Sequence, residues 1–423
     1  MSNELLFVLV VLAATLVLFV RNRLRLDLIA LLSLLALALS GVVSTEEAIA
    51  GFSEPVVLMI AGLFVVGAAM FRTGVADAVG HRVELLGGES PQRLIAAIMV
   101  VTAFLSAFLS STGTVAVMLP VVLAIARRRS ISPSRLLIPL AYASLLGGML
   151  TLIGTPPNLI VSNQLRQAGF EPFGFFQFTP TGLTMLAIGL VFMVTVSPYL
   201  VPERSRAASA AVPPPPPVVG GEDERRPERA PVAIAILVLM LLTMTFGLVA
   251  NVIAVLAAAT LLVLTRCVTM EEAYRSINWE SVVLIAAIIP MATALDNTGG
   301  LTLAADALLA LSMDAGPIAL MAALFVFTSV LSQLVSNTAT TVLVAPIALK
   351  AALAMQVDPH AVLLTVAIAA STAFATPVAS PVNTLVLGPG GYRFGDYARV
   401  GIPLQLLILA GTLVVVPLII PLR

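Results

Sequence analysis

Four short stretches of this sequence carry residues that could do chemistry. Ser110-Ser111-Thr112 opens "SSTGTVAVMLP", and Ser336-Asn337-Thr338 opens "SNTATTVLVAP". The other two are "GTPPN" at 154–158 and "ASPVN" at 379–383. Each interrupts an apolar run with hydroxyls, amides or both, close to a proline. Pro156 and Pro157 cannot continue a helical hydrogen-bond ladder, and neither can Pro377 and Pro381. Carbonyl oxygens freed in this way, with hydroxyl and amide oxygens, are hard ligands that suit Na⁺. The candidate cation ligands are Ser106, Ser110, Ser111, Gly154 and Asn158 in one half, and Ser332, Ser336, Asn337, Ala379 and Asn383 in the other. Helix N-termini that follow the breaks present free N–H groups and a partial positive charge to an anion. That makes Thr155, Pro156, Ser380 and Pro381 candidate anion contacts. No lysine or arginine lies deep in an apolar run, so dipoles, hydroxyls and bound cations would hold the anion. The combination points to cation-coupled anion uptake.

These residues need positioning elements, and composition says where those elements sit. Of 423 residues, 59% are hydrophobic and 10% charged, against about 25% charged in a soluble domain. Runs at 5–20, 26–43, 180–196, 232–249 and 404–421 approach the roughly 20 residues of a membrane-spanning helix. The chain therefore reads as an all-α polytopic membrane protein. Its "MSNE" start lacks the basic segment of a signal peptide, so the first run reads as a retained helix. The single cysteine, Cys267, excludes a disulfide framework, a cysteine zinc site and an iron–sulfur cluster. An intramembrane enzyme would need clustered His, Asp, Glu or Cys at depth, and the sequence offers none. No cofactor and no nucleic-acid partner are expected; the lipid bilayer is the surrounding phase.

The polar stretches come in pairs because the chain is a tandem duplication. "VSTEEA" (43–48) recurs as "VTMEEA" (268–273), "RTG" (72–74) as "NTG" (297–299), and "GTPPNLIV" (154–161) as "ASPVNTLV" (379–386), all shifted by 225. The two serine-led stretches match at 226. The expected domains are a first repeat, 1–200, a proline-rich charged linker, 201–230, and a second repeat, 231–423. Spans are expected near 4–20, 26–43, 55–71, 136–162 and 179–199. The polar tips fall inside hairpins at 92–126 and 316–353, whose arms suit a re-entrant loop. The proline breaks interrupt helices at 136–162 and 360–388.

Five crossings per repeat is an odd number, so the second copy is expected upside down. The charges agree: with the N-terminus outside, 19 of the 22 Lys and Arg fall on the cytoplasmic side, and only Arg166, Lys350 and Arg423 fall outside. The linker is then cytoplasmic in a cell (inner) membrane, and amphipathic connectors at 75–88 and 300–312 lie along the interface. Inverted repeats with broken helices at matching positions are the architecture of secondary transporters, whose sites lie near the midplane between the copies. Small-residue clusters also serve close helix packing; four clusters in symmetric pairs, each beside a proline, favour a binding site. Asp296 with Asn297 reads either as a proton-relay carboxylate or as a helix-end residue. His81 and His360 lie in polar connections without partner ligands. Trp279 and Tyr392 read as interfacial anchors.

At these residues the chain resembles the divalent-anion:sodium symporter family of the larger ion-transporter superfamily. That family's two Ser-Asn-Thr hairpin tips are similar to Ser110-Ser111-Thr112 and Ser336-Asn337-Thr338, and its unwound helix segments to 154–158 and 379–383. "FATPVASPVNTLVLGPGGYRFGDY" (374–397) is nearer the sulfate-like permease branch. The resemblance implies sodium-coupled uptake of a dicarboxylate or a sulfate-like oxyanion by an elevator mechanism. It implies a sodium ion between each tip and its neighbouring break, and the anion between the tips, touching Ser111, Thr112, Asn337, Thr338 and Pro381. It also implies a homodimer. Two departures stand out. Ser111 replaces the family's asparagine, and the linker stands where sulfate-like members often carry soluble domains. Proton coupling, sodium/proton antiport and oxyanion export remain as alternatives within the superfamily.

Overall fold

In lipid every backbone N–H and C=O must be satisfied within its own segment, so an apolar chain of this composition folds into helices. A computed structural model describes residues 3–21, 24–75, 88, 90–201, 225–312, 316–377 and 379–422, and no strand occurs among them. The first half contains α1 (Asn3–Arg21), α2 (Leu26–Leu39), the short α3 (Thr45–Ala50), α4 (Pro55–Arg72), α5 (Pro91–Ser106), α6 (Ser111–Arg128), α7 (Ser134–Gly148), α8 (Pro156–Gln167) and α9 (Thr179–Thr195). The second contains α10 (Ala230–Thr245), α11 (Asn251–Leu264), α12 (Met270–Ser276), α13 (Trp279–Asn297), α14 (Gly300–Ser312), α15 (Pro317–Leu334), α16 (Asn337–Ala354), α17 (Pro359–Ser371), α18 (Pro381–Gly390) and α19 (Phe394–Ile419). Most of the linker, 202–224, and most of the first connector, 76–87, lie outside the described residues.

Among the described residues, six helical stretches are long and apolar enough to cross a bilayer, and α6 and α16 are two of them. Length alone therefore does not distinguish a re-entrant arm from a crossing. The sequence pattern fixes several helix ends. Ser44 with Glu47, and Thr269 with Glu272, form capping boxes that start α3 and α12 at matching positions of the two halves. Prolines open α4, α5, α8, α15, α17 and α18, where a missing N–H costs nothing.

Packing repeats when the halves are exchanged. α2 lies along α13, and α4 along α11. α5 packs on α7, and α15 on α17. α8 meets α16, and α18 meets α6. α7 and α17 are the centre: every residue of α7 except Arg135, and every residue of α17 except His360, is buried. A helix apolar on all faces needs neighbours on all faces. The last helix of each half supplies one of them through a glycine. A Cβ on Gly182 of α9 would stand 2.3 Å from the Met149 carbonyl oxygen, and one on Gly401 of α19 would stand 2.4 Å from that of Phe374. The exchange fails at α13. α13 packs on α16, whereas α4 and α6 face each other across a cavity and touch where the Phe71 ring lies against Gly113.

Candidate functional site

The two tips and the two breaks all reach a single cavity of about 1650 Å³. Ser110–Gly113 and 154–157 line it from the first half, with 336–338 and 379–382 from the second. Helices α6, α8, α16 and α18 all begin at its wall. Side-chain caps take part of their free N–H inventory. Ser110 Oγ accepts from Gly113 N at 3.2 Å, Ser336 Oγ from Ala339 N at 3.3 Å, and Ser380 Oγ from Val382 N at 3.3 Å. The other amides of each first turn still face a region where four positive helix ends converge, each worth about half a charge.

The breaks are built alike. Thr155 (φ −151°, ψ 145°) and Ser380 (φ −145°, ψ 139°) share one extended conformation. Asn158 donates through Nδ2 to the carbonyls of Gly148 (3.1 Å) and Thr151 (2.8 Å). Asn383 does the same to Ala373 (2.7 Å) and Thr376 (2.9 Å). Each asparagine thus bonds two carbonyls that the interrupted helix leaves without ladder partners, and in the first break Gly154 N also donates to Thr151 O at 3.3 Å. Thr151 Oγ1 and Thr376 Oγ1 donate to the carbonyls of Ala107 and Gln333, which ties each break to its own tip.

The tips are built differently. In the first, Ser106 Oγ donates to Ser144 O at 2.7 Å and lies 3.0 Å from Ser111 Oγ; Ser111 Oγ reaches Ser144 O at 3.1 Å, and Ser144 Oγ donates to Ser111 O at 2.8 Å. In the second, Ser332 Oγ turns back to Ser329 O at 2.9 Å. Asn337 Oδ1 and Asn383 Oδ1 are buried without a partner among the described residues. An orphaned buried acceptor costs about 1–3 kcal/mol, so two together ask for a ligand. Thr114 and Thr340, one in each half, are also partnerless and do not distinguish the tips.

Of the residues expected to act, Ser110, Ser111, Thr112, Gly154, Thr155, Pro156, Ser336, Asn337, Thr338, Ala379, Ser380 and Pro381 line the cavity. Ser106, Asn158, Ser332 and Asn383 are buried behind that wall. Ser144 and Gln333 escape sequence reasoning. Gln333 lines the cavity and binds Thr372 O (3.1 Å) and the Ala375 amide (3.0 Å). Its one signal is an amide inside an apolar helix, beside the tip. Asp296 is off the cavity and paired with Lys350 at 2.6 Å. His360 bridges Asp358 and the Glu171 carbonyl, while His81 lies outside the described residues. Trp279 is exposed. Tyr392 is not an interfacial anchor: it is buried, and its hydroxyl enters the α7 ladder, accepting from Ile138 N and donating to Ser134 O. Pro139 follows Ile138 in that helix and has no N–H of its own to give the ladder, which makes such an insertion feasible.

Charges gather at one end of the cavity, where Arg72, Arg225, Arg226, Glu271, Glu272 and Arg275 line it. Arg226 holds Glu272 through two bonds (2.8 and 3.2 Å), and Arg72 lies 3.3 Å from the same carboxylate. Burial raises the Glu272 pKa, but the Arg226 and Thr269 hydrogen bonds and the Arg72 charge outweigh it, leaving the carboxyl below its ordinary range. At the matching place in the other half, Asn297 Nδ2 donates to Glu47 at 3.3 Å.

Comparison with known proteins adds to this geometry. The citrate transporter family (CitMHS) matches residues 16–369 and 316–423. An uncharacterized transporter of Escherichia coli, YfbS, is 31% identical over 609 aligned positions covering all of both chains. That alignment is longer than this chain, so the relative carries insertions against it. The protein named sodium-dependent dicarboxylate transporter SdcS of Staphylococcus saprophyticus is 27% identical, over 92% of this chain and 81% of its own. In three dimensions the chain is similar to the crystal structure of the YdaH transporter of Alcanivorax borkumensis. The TM-score is 0.60 at 16% identity, covering 88% of this chain and 87% of that one, a likeness of fold.

Proposed function

The chain belongs to the citrate transporter family, and from that premise we propose that it couples sodium to the uptake of a small divalent anion, a dicarboxylate or a sulfate-like oxyanion. The observation that carries the proposal is the meeting of both tips and both breaks around one cavity, with Asn337 Oδ1 and Asn383 Oδ1 buried and unpartnered at the second pair. A hard cation satisfies such oxygens without bringing a hydrogen-bond donor. Sodium lies between the second tip and its break, served by Ser336, Asn337, Ala379 and Asn383. The anion lies against the four helix N-termini, contacting Ser111, Thr112, Thr155 and Pro156 on one side and Asn337, Thr338, Ser380 and Pro381 on the other. The name of the Staphylococcus relative supports both sodium and a dicarboxylate.

The two halves, 1–200 and 231–423, are inverted repeats. Their hairpins and broken helices move as an elevator against a scaffold of the remaining helices, on which a second copy of the chain pairs. The positive-inside bias puts linker 201–230 and the arginine-lined end of the cavity in the cytoplasm of the inner membrane. Proton coupling through Asp296 is the less favoured reading, because that carboxylate stands away from the cavity in an ion pair with Lys350.

A doubly charged anion at this depth needs cationic compensation beyond helix ends. Linkage then requires anion and sodium to raise each other's affinity by one factor. Thermal-shift titrations of the purified protein with succinate or sulfate test this. Stabilisation should be strong in sodium and weak in choline or potassium. Binding indifferent to sodium and steep in pH would replace this reading with the proton-coupled one.

A further inference from the structure

We infer that a clasp of serine hydroxyls takes the place of a cation at the first tip, so that each chain binds one coupling sodium, at the second tip. The inference rests on the sodium-coupled reading and narrows it. Three hydroxyls, on Ser106, Ser111 and Ser144, join α5, the start of α6 and α7. A cation site needs carbonyl and hydroxyl oxygens with lone pairs aimed at the ion and protons turned away. Here each hydroxyl gives its one proton to a backbone carbonyl of the same tip. Ser144 O accepts from both Ser106 and Ser111, which fills both of its lone pairs, and Ser111 O accepts from Ser144. The carbonyl oxygens that would ligate an ion are thus taken up within the protein.

Two further observations separate the tips. The backbone of the first half closes on the clasp: a Cβ at Gly148 would stand 3.2 Å from both Ser111 Oγ and Gly154 O. The repeat shift puts Ala373 opposite Gly148 and Ala369 opposite Ser144, so the second tip has neither that close approach nor the third hydroxyl. What it has is Asn337 opposite Ser111, with an amide oxygen buried and unpartnered. A side-chain carbonyl cannot donate a proton, so it cannot close on itself as a hydroxyl does. The exchange of Asn for Ser at one position decides whether a tip is completed by an ion or by the protein.

Equilibrium binding of ²²Na⁺ to the purified full-length chain, alone and with succinate or sulfate added, tests the inference. One sodium per chain is expected, falling to none in Asn337→Ala. Two per chain, or one remaining in Asn337→Ala, would overturn it while leaving the sodium-coupled reading intact. No sodium on the unaltered chain would overturn that reading, and this inference with it. Ser144→Ala opens the clasp and should lower the thermal midpoint while the sodium count stays at one; loss of sodium binding in this folded variant would overturn the inference. The pair Ser111→Asn with Ser144→Ala restores the second tip's pattern to the first and should raise the count to two. A count of one in that folded variant would show that these two serines do not exclude the ion, and would overturn the clasp as its cause.

Discussion

The first and second tips face one cavity, follow helices of similar length and are tied by matching threonine bonds to breaks that carry matching asparagine bonds. They differ at the residue after the N-cap. Ser111 turns its hydroxyl into the protein, whereas Asn337 leaves an oxygen buried and unsatisfied. The two halves therefore share the parts that shape the backbone and differ at the part we propose meets the ligand. The shape depends on carbonyls that must be paired wherever a helix is broken. The proposed ligand contact depends instead on which side chain follows the N-cap.

The sharpest way to break this comparison is to remove its odd atom. Asn337→Ala takes away the proposed sodium ligand and amide donor to the anion while a small residue still packs. Hydrogen bonds to charged groups contribute about 1.5–3 kcal/mol, which corresponds to a loss of about tenfold to a hundredfold in uptake by proteoliposomes. Ser111→Ala removes one hydroxyl of a clasp and should cost less. Equal losses would mean that the tips work alike.

The braces give the converse test. Asn158→Ala strands the Gly148 carbonyl, since Gly154 N still donates to that of Thr151, and Asn383→Ala strands those of Ala373 and Thr376; at about 1–3 kcal/mol apiece, both variants should lose several degrees of thermal midpoint, Asn383→Ala the more. The sodium dependence of the midpoint should collapse in Asn383→Ala alone, because its buried, unpartnered Oδ1 lies in the proposed ion site. Similar sodium responses in the two variants would erase the distinction between the halves.

How much of this could be read from residues alone follows the same division. The breaks were legible because proline announces a missing donor, and helices α7–α8 and α17–α18 stop and restart around those prolines. The tips were legible because hydroxyls and amides interrupt an apolar run. The register of the repeat tied one to the other. The clasp was not legible. Ser144 sits inside "AYASLLGG" with no local feature to mark it, and it acts only because α7 brings it beside α5 and α6. Tyr392 misleads for the same reason: its flanking glycines and Arg393 suggest a membrane interface, but a close approach to α7 buries it. Contacts between helices distant in sequence carry no one-dimensional signature.

A smaller effect is expected where the halves differ at the scaffold. α13 packs on α16, and Lys350 of α16 reaches Asp296 of α13 at 2.6 Å. The first half offers Ala124 and Phe71 at the corresponding positions, with a cavity between α4 and α6. The pair is half-exposed, which limits it to about 0.2–1 kcal/mol, or at most about a fivefold change in an equilibrium between conformers. Lys350→Met should therefore slow labelling of a Val117→Cys probe in a Cys267→Ala background by no more than that factor, as the closed α13–α16 face loosens. An unchanged rate would mean that the ion pair does not bias the two faces.

The smallest expected effect concerns Glu272 and its neutral counterpart arrangement at Glu47. The Glu272 carboxyl lies below its ordinary range because Arg226, the Thr269 amide and Arg72 together outweigh the cost of its burial. A carboxylate held down in the folded chain binds fewer protons there than in the unfolded chain. It therefore contributes stability above the unfolded value of about 4.3, and that contribution is lost as pH falls through the lowered folded value. Between pH 6 and 8 the contribution is constant. Glu272→Gln should lower the thermal midpoint by a few degrees at neutral pH, and the difference from the unaltered chain should shrink at acid pH below the ordinary carboxylate range. Salt should shrink it too, since the cluster opens onto the cavity mouth and ions screen it over about 10 Å at 0.1 M. The same measurement sharpens the contrast with the other half, where Asn297 meets Glu47 with no cation beside it among the described residues. Asn297→Ala should shift the midpoint less than Glu272→Gln and with little dependence on salt. Equal salt sensitivity would place comparable charge at both ends, against the arginine asymmetry on which the orientation rests.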